Sequence, residues 1–265
     1  MTPGVKRTVE ELEGDTALES EEEITQYRAL AARANYLSLD RPDIAFSSKE
    51  CCRHMSSPTR GDWKALRRVA RYLIGHPRLV YDFPWQEASD LDVFVDTDFA
   101  GCPQTRRSTS GGCAKLGQHL IKHWSSTQKV LALSSGEAEL AGILKGTSEG
   151  LGLKNLGQDL GVTVDLHVRT DSSAAVGICR RIGLGKVRHL AVGQLWIQER
   201  LRAGDFALHK HPGPENPGDL LTKHLDGPSA EAHCHRAGVR FLSGRAASAP
   251  MPTQNQGQLS RRRQT

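Results

Sequence analysis

The fold turns on LDVFVDTDFAG, residues 91–101. Leu91, Val93 and Val95 alternate with Asp92, Phe94 and Asp96, the period of a β-strand whose two faces meet different neighbours. The same texture continues downstream. After the turn-rich GCPQTRRSTSGG (101–112), CAKLGQ (113–118) and HLIKHWSS (119–126) read as two more strands. SSGEAELAGILKGTSEGLGLKNLGQDLG (134–161) is helical, with Ser134 and Ser135 as candidate N-caps and Leu140, Ile143, Leu144 and Leu151 along one side. DLHVRTD (165–171) is a strand, SSAAVGICRRI (172–182) and HLAVGQLWIQERLRAG (189–204) are helices, DFALHKH (205–211) is a strand and NPGDLLTKHL (216–225) is a short final helix. The order β-β-β-α-β-α-α-β-α predicts an α/β domain over residues 88–226.

Upstream, the period changes to that of helices. YRALAARANYL (27–37), DIAFSSKECCRHM (43–55) and TRGDWKALRRVARYLIG (59–75) are separated by breaks at Arg41-Pro42 and Ser57-Pro58, so residues 26–84 predict a small helical subdomain. In the last of these Trp63, Leu66, Val69 and Leu73 recur on one side, while Arg67, Arg68 and Arg71 form a face open to a nucleic-acid backbone or simply to solvent. Trp124 and Trp196 read as core residues. Residues 1–25 are acidic, without apolar period, and predict a disordered arm. Residues 227–265 run into GRAASAPMPTQNQGQLSRRRQT and predict a disordered basic tail.

Composition narrows the class. Of 265 residues 38% are hydrophobic and 25% charged, and no apolar run nears the roughly 18 residues of a bilayer-spanning helix. With neither a secretory nor a transit signature after Met1, the expectation is a soluble intracellular protein, cytoplasmic or nuclear, with no membrane partner. The net charge of +5 is unevenly spread: residues 1–25 hold two bases against eight acids, and residues 226–265 six bases against two acids, leaving +7 between them. Such a surface attracts phosphates. The six cysteines (51, 52, 102, 113, 179, 234) have no regular spacing, so they read as free thiols rather than a disulfide framework or a zinc site.

Four acids fall at element ends: Asp96 on the first strand, Glu137 or Glu139 on the long helix, Asp171 after DLHVRT, and Asp219 on the last helix. In a sheet with a parallel centre, strand ends and helix starts converge on one edge. Acids gathered there repel unless a cation neutralises them, and hard oxygen ligands suit Mg²⁺ or Mn²⁺. Asp98 competes with Asp96, because alternate strand residues share a face. Glu137 and Glu139 lie about 200° apart on a helix, one on each flank of its apolar side, so spacing leaves that choice open.

DTDFAG, RRSTSG, HWSSTQKVLALSSGEAEL, TDSSAA and NPGDLLTKHL, in this order, resemble the ribonuclease H domain that ends the Pol polyprotein of copia-type long-terminal-repeat retrotransposons. The resemblance spans about residues 91–226. Residues 27–73 resemble the connection between reverse transcriptase and ribonuclease H in the same polyproteins. It implies an RNase H-like fold, a five-stranded mixed sheet flanked by helices behind a small helical connection subdomain. It also implies endonucleolytic hydrolysis of the RNA strand of RNA–DNA hybrids with two Mg²⁺ (or Mn²⁺) ions.

Carried over by position, the metal-binding and catalytic acids are Asp96, Glu139, Asp171 and Asp219, with Asp98 a supporting or surface acid and Glu137 a capping or solvent-facing one. The loop Arg106, Arg107, Ser108 and Thr109, with Ser172 and Ser173 beside Asp171, is the expected nucleic-acid contact. His211 lies nearest the last acid, where cellular ribonucleases H carry an assisting histidine. Copia-type elements generally lack that residue, so it reads as a surface histidine. Phe99, Gly136 and His224 replace the usual Trp, Thr and Pro without removing an acid. No Tyr-x-Asp-Asp polymerase motif occurs in the 265 residues, so a reverse transcriptase polymerase domain is an expected partner rather than part of this chain. The second reading, from a different class, is a catalytically inactive nucleic-acid-binding remnant.

Overall fold

A computed structural model describes residues 1–183, 191–244 and 246–248. Its centre is the five-stranded mixed sheet that the resemblance implies. Strands β2 (Asp90–Asp98), β3 (Thr109–Leu116), β4 (His119–Thr127), β5 (Asp165–Thr170) and β6 (Ala207–Lys210) lie in the order β4-β3-β2-β5-β6. The first three run antiparallel, and β2, β5 and β6 run parallel. Helices α5 (Ser135–Asp159), α6 (Ser173–Arg180) and α7 (Ala191–Ala203) connect them. The predicted helix over residues 189–204 therefore appears, apart from its first two residues, which lie outside the described ones. Leu91, Val93 and Val95 on β2 pack with Val168, Leu140 and Ile143 in one apolar core, as their alternation predicts, and Trp124 and Trp196 join it.

The helical subdomain is α2 (Glu21–Leu37), α3 (Pro42–Arg53) and α4 (Arg60–Gly75), around Tyr27, Ala31, Ile44, Leu66 and Val69. Pro42 starts α3 where its missing N–H costs nothing. Thr59 and Asp62 cap α4 reciprocally. Among the described residues no helix is long and apolar enough to cross a membrane.

Both ends of the chain depart from expectation. The acidic first 25 residues are structured. Helix α1 (Val9–Glu13) is closed by a Thr8–Glu11 capping box, and Glu21, Glu22 and Glu23 form the first turn of α2, where negative charge meets the helix dipole. Asp15 accepts from the Gly61 N–H and the Thr59 hydroxyl, Arg7 pairs with Asp15 and Asp62, and Leu18 is buried. A charge-rich composition hid acids that are helix caps and ion-pair partners. Likewise the tail expected to be disordered from residue 227 begins with α8 (Gly227–Ala237) and strand β7 (Val239–Leu242). Gly238, at φ +92°, turns the chain from one into the other. Strand β7 pairs antiparallel with β1 (Arg78–Tyr81), a strand that the helical reading of 26–84 does not contain. Cys234, Ala237 and Val239 are buried with Ala45, Cys113, Leu120 and Leu221. These few apolar residues are diluted when composition is averaged over the whole tail.

Candidate active site

Strand β2 runs through the middle of the sheet and parallel to β5, paired Phe94 to Arg169. Two residues further along, that register sets Asp96 opposite Asp171, just past the end of β5. Helix α5 crosses the same strands, and its glycines bring it close. A Cβ at Gly142 would come within 2.6 Å of Thr97 Oγ1, and one at Gly146 would overlap Val95. The helix therefore carries Glu139 down to the sheet edge. Asp96, Glu139 and Asp171 each offer a carboxylate oxygen within 4.8 Å of the others, the one such group among the described residues.

The electrostatics follow from that crowding. Burial, then the charges of Asp96 and Asp171, push the Glu139 carboxyl up to about 8, and its Oε2 is buried without a hydrogen-bond partner. Burial and Asp96 raise Asp171 too. Asp96 is buried and accepts a hydrogen bond from the Thr222 hydroxyl. Asp219 stands beside the three rather than among them. It is pushed up to about 6 by burial and by Asp96, while its Oδ1 lies 3.0 Å from Lys223 Nζ. An orphaned buried carboxylate oxygen among mutually repelling acids is what a divalent cation would satisfy, so the donor set fits Mg²⁺ or Mn²⁺.

No family model matches the chain. It is 28% identical over 218 residues to the retrovirus-related Pol polyprotein from transposon RE2 of Arabidopsis thaliana, a match covering 81% of this chain and 15% of that polyprotein. It is 30% identical over 185 residues to the Pol polyprotein from transposon TNT 1-94 of Nicotiana tabacum, covering 69% of this chain and 14% of the relative. Over most of its length, then, the chain is similar to retrovirus-related Pol polyproteins of copia-type transposons. It spans about one-seventh of the length of these relatives. Among solved structures, LC11-RNase H1 in complex with an RNA/DNA hybrid aligns with 50% of this chain and 94% of its own, at 16% identity and a TM-score of 0.40.

The chain is folded as a five-stranded mixed sheet flanked by helices, and the structure sorts the residues singled out in its sequence. Glu139 joins the carboxylate group. Glu137 instead faces the start of α5, where its Oε2 accepts from the Leu133 N–H at 2.9 Å. Asp98 lies at the end of β2, raised chiefly by burial. The expected nucleic-acid loop divides. Arg106 and Arg107 are exposed, and Arg106 holds φ +55°. Ser108 and Thr109 are not available for a ligand. Ser108 is fully buried and its Oγ accepts from the Ala100 N–H, while Thr109 already begins β3 and receives a hydrogen bond from Lys49 Nζ at 2.9 Å. Turn-forming residues around a glycine pair misplaced the start of the strand. Gly111 and Gly112 belong inside it, where a Cβ on Gly111 would meet Leu221 at 2.7 Å. Ser172 caps α6 through the Ala175 N–H, and Ser173 is exposed. His211 stacks edge-on against Phe94, 5.1 Å between ring centroids.

Four residues outside the expected set shape the edge. Asn216 donates its side-chain N–H to the Val95 carbonyl at 2.8 Å and accepts from the Gly218 N–H at 3.0 Å. It thereby fastens the 3₁₀ turn Pro217–Leu221 to β2. A Cβ on Gly218 would lie 2.9 Å from that of Asp96, so glycine lets the turn seat against the acid. Thr222 and Lys223 then follow, the first on Asp96 and the second between Asp96 and Asp219. The NPGD and LTK strings of the sequence carried the signal, read there only for their aspartate.

Proposed function

We propose that this chain is a metal-dependent endoribonuclease that hydrolyses the RNA strand of RNA–DNA hybrids, as the ribonuclease H part of a copia-type Pol polyprotein. The observation that carries the reading is the convergence of Asp96, Glu139 and Asp171 within 4.8 Å, with a buried, unpartnered oxygen on Glu139. Asp96, Glu139 and Asp171 would hold the divalent ions, with Asp219 at the side of the site. Two bound Mg²⁺ or Mn²⁺ ions would supply an activated water and charge neutralisation at the departing 3′-oxygen, giving a 5′-phosphate and a 3′-hydroxyl.

The chain's own residues do the rest. Thr222 fixes the Asp96 carboxylate by its hydrogen bond, Asn216 holds the turn that presents Asp219, and the exposed Arg106 and Arg107 offer cations to the nucleic-acid backbone. RNA would be told from DNA by its 2′-hydroxyls across the shallow minor groove, with little reading of sequence. In the polyprotein a polymerase domain would share the same hybrid.

Cleavage of an end-labelled RNA–DNA hybrid in Mg²⁺, with and without Asp171→Asn, tests the reading. Cleavage by the unaltered chain and none by the variant is expected. Salt-sensitive hybrid binding without turnover in either Mg²⁺ or Mn²⁺ would replace it with a non-catalytic nucleic-acid-binding role.

A further inference from the structure

The side chain of Lys223 reaches into the carboxylate group from just past the 3₁₀ turn, with Nζ 3.0 Å from Asp219 Oδ1 and 3.8 Å from Asp96 Oδ2. Its backbone has little freedom. Thr222, the residue before it, is fully buried and bonded to Asp96, and Asp219 lies one helical turn back. The stem of Lys223 borders a small recess with Phe46, Leu220 and His224, whereas 43% of its side chain remains exposed. The ammonium can therefore swing out to solvent without the chain moving. Lys49 and Arg53, by contrast, both pair with Glu50.

We propose that Lys223 is a tethered counter-ion that shares Asp96 and Asp219 with the divalent ions and so sets how tightly those ions are held. The proposal rests on the metal-dependent reading above. Asp96, Glu139, Asp171 and Asp219 repel one another across a few ångströms, and a fixed positive charge offsets part of that repulsion. The same charge stands within 4 Å of oxygens that a divalent ion needs. Either the ammonium stays and repels the ion, or it leaves and gives up its carboxylates. Both outcomes weaken divalent binding relative to a neutral side chain of the same length. Lys223 thus acts through the acids as a positioning residue, keeping the site folded when divalent ions are scarce and keeping their exchange easy.

The experiment measures Mn²⁺ binding to the full chain by electron paramagnetic resonance of the free ion, together with thermal melting in EDTA and in saturating Mn²⁺. Lys223→Met is expected to bind Mn²⁺ about tenfold tighter, the size of one removed unit charge near a divalent ion in a water-like dielectric. It is also expected to melt earlier than the unaltered chain in EDTA but not in saturating Mn²⁺. Lys223→Arg, which keeps the charge, should restore both properties. Should Lys223→Met fail to fold, Lys223→Gln makes the same comparison. A dissociation constant within twofold of the unaltered chain, or a weaker one, overturns the proposal. Asp96→Asn keeps the two readings apart. Loss of Mn²⁺ binding in that variant beside an unmoved Lys223→Met leaves the metal site standing and removes only the role of the lysine. Undiminished binding by Asp96→Asn removes both.

Discussion

Glu139 is the residue at which burial and neighbouring charge meet. Its carboxyl, ordinarily near 4.5, sits near 8 because it is buried beside Asp96 and Asp171. Between those two pH values the folded chain holds a proton that the unfolded chain has released, so stability without metal falls as pH rises from about 5 to 8. Melting in EDTA across that range should show the decline, and Glu139→Gln, which has no proton to lose, should remove most of it. A Glu139→Gln chain with the slope intact would count against the geometry. Saturating Mn²⁺ should flatten or reverse the slope in the unaltered chain, because metal binding needs the ionised acid. For hybrid cleavage, Asp171→Asn and Glu139→Gln should each cost on the order of 100-fold or more in rate at saturating Mg²⁺. Sequence alone could not choose Glu139 over Glu137, since each flanks the same apolar stripe. The choice comes from which flank faces the sheet edge, a tertiary fact.

Helix α5 shows how an element delivers such a residue. Its glycines at 142, 146 and 150 recur every fourth position and face Thr97, Val95 and Leu166 across the sheet. A side chain at any of them lifts the helix off β2 and takes Glu139 with it. Gly146→Val should therefore destabilise the chain by about 1–3 kcal/mol, as overpacking of a filled core does, read as a lower urea midpoint, and should weaken Mn²⁺ binding in the fraction that still folds. An unchanged midpoint would mean that the close approach is not needed. The strands and long helices were legible because alternation and helical spacing are local properties. The start of β3 was not, because Thr109 and Gly111 have turn chemistry in isolation and become strand residues only against Leu221 and the Lys49 side chain. Asn216 was equally opaque: its partner, the Val95 carbonyl, is distant in sequence.

At the scale of the whole molecule, the segment after Asp226 matters more than its composition suggests. Removing residues 227–265 strips Cys234, Ala237 and Val239 from a core shared with α3 and the edge of the sheet. The shortened chain should melt about 10 °C lower or lose its cooperative transition, given roughly 1–3 kcal/mol for each large apolar side chain exposed and 2–4 °C per kcal/mol at this size. A shortened chain that melts as the full chain does would refute this account. The pairing of β1 with β7 also has an order in time. Strand β1 leaves the ribosome long before its partner at residues 239–242 exists, and every residue of the five-stranded sheet is made in between. Vectorial synthesis thus finishes the interrupting unit before the interrupted one can close.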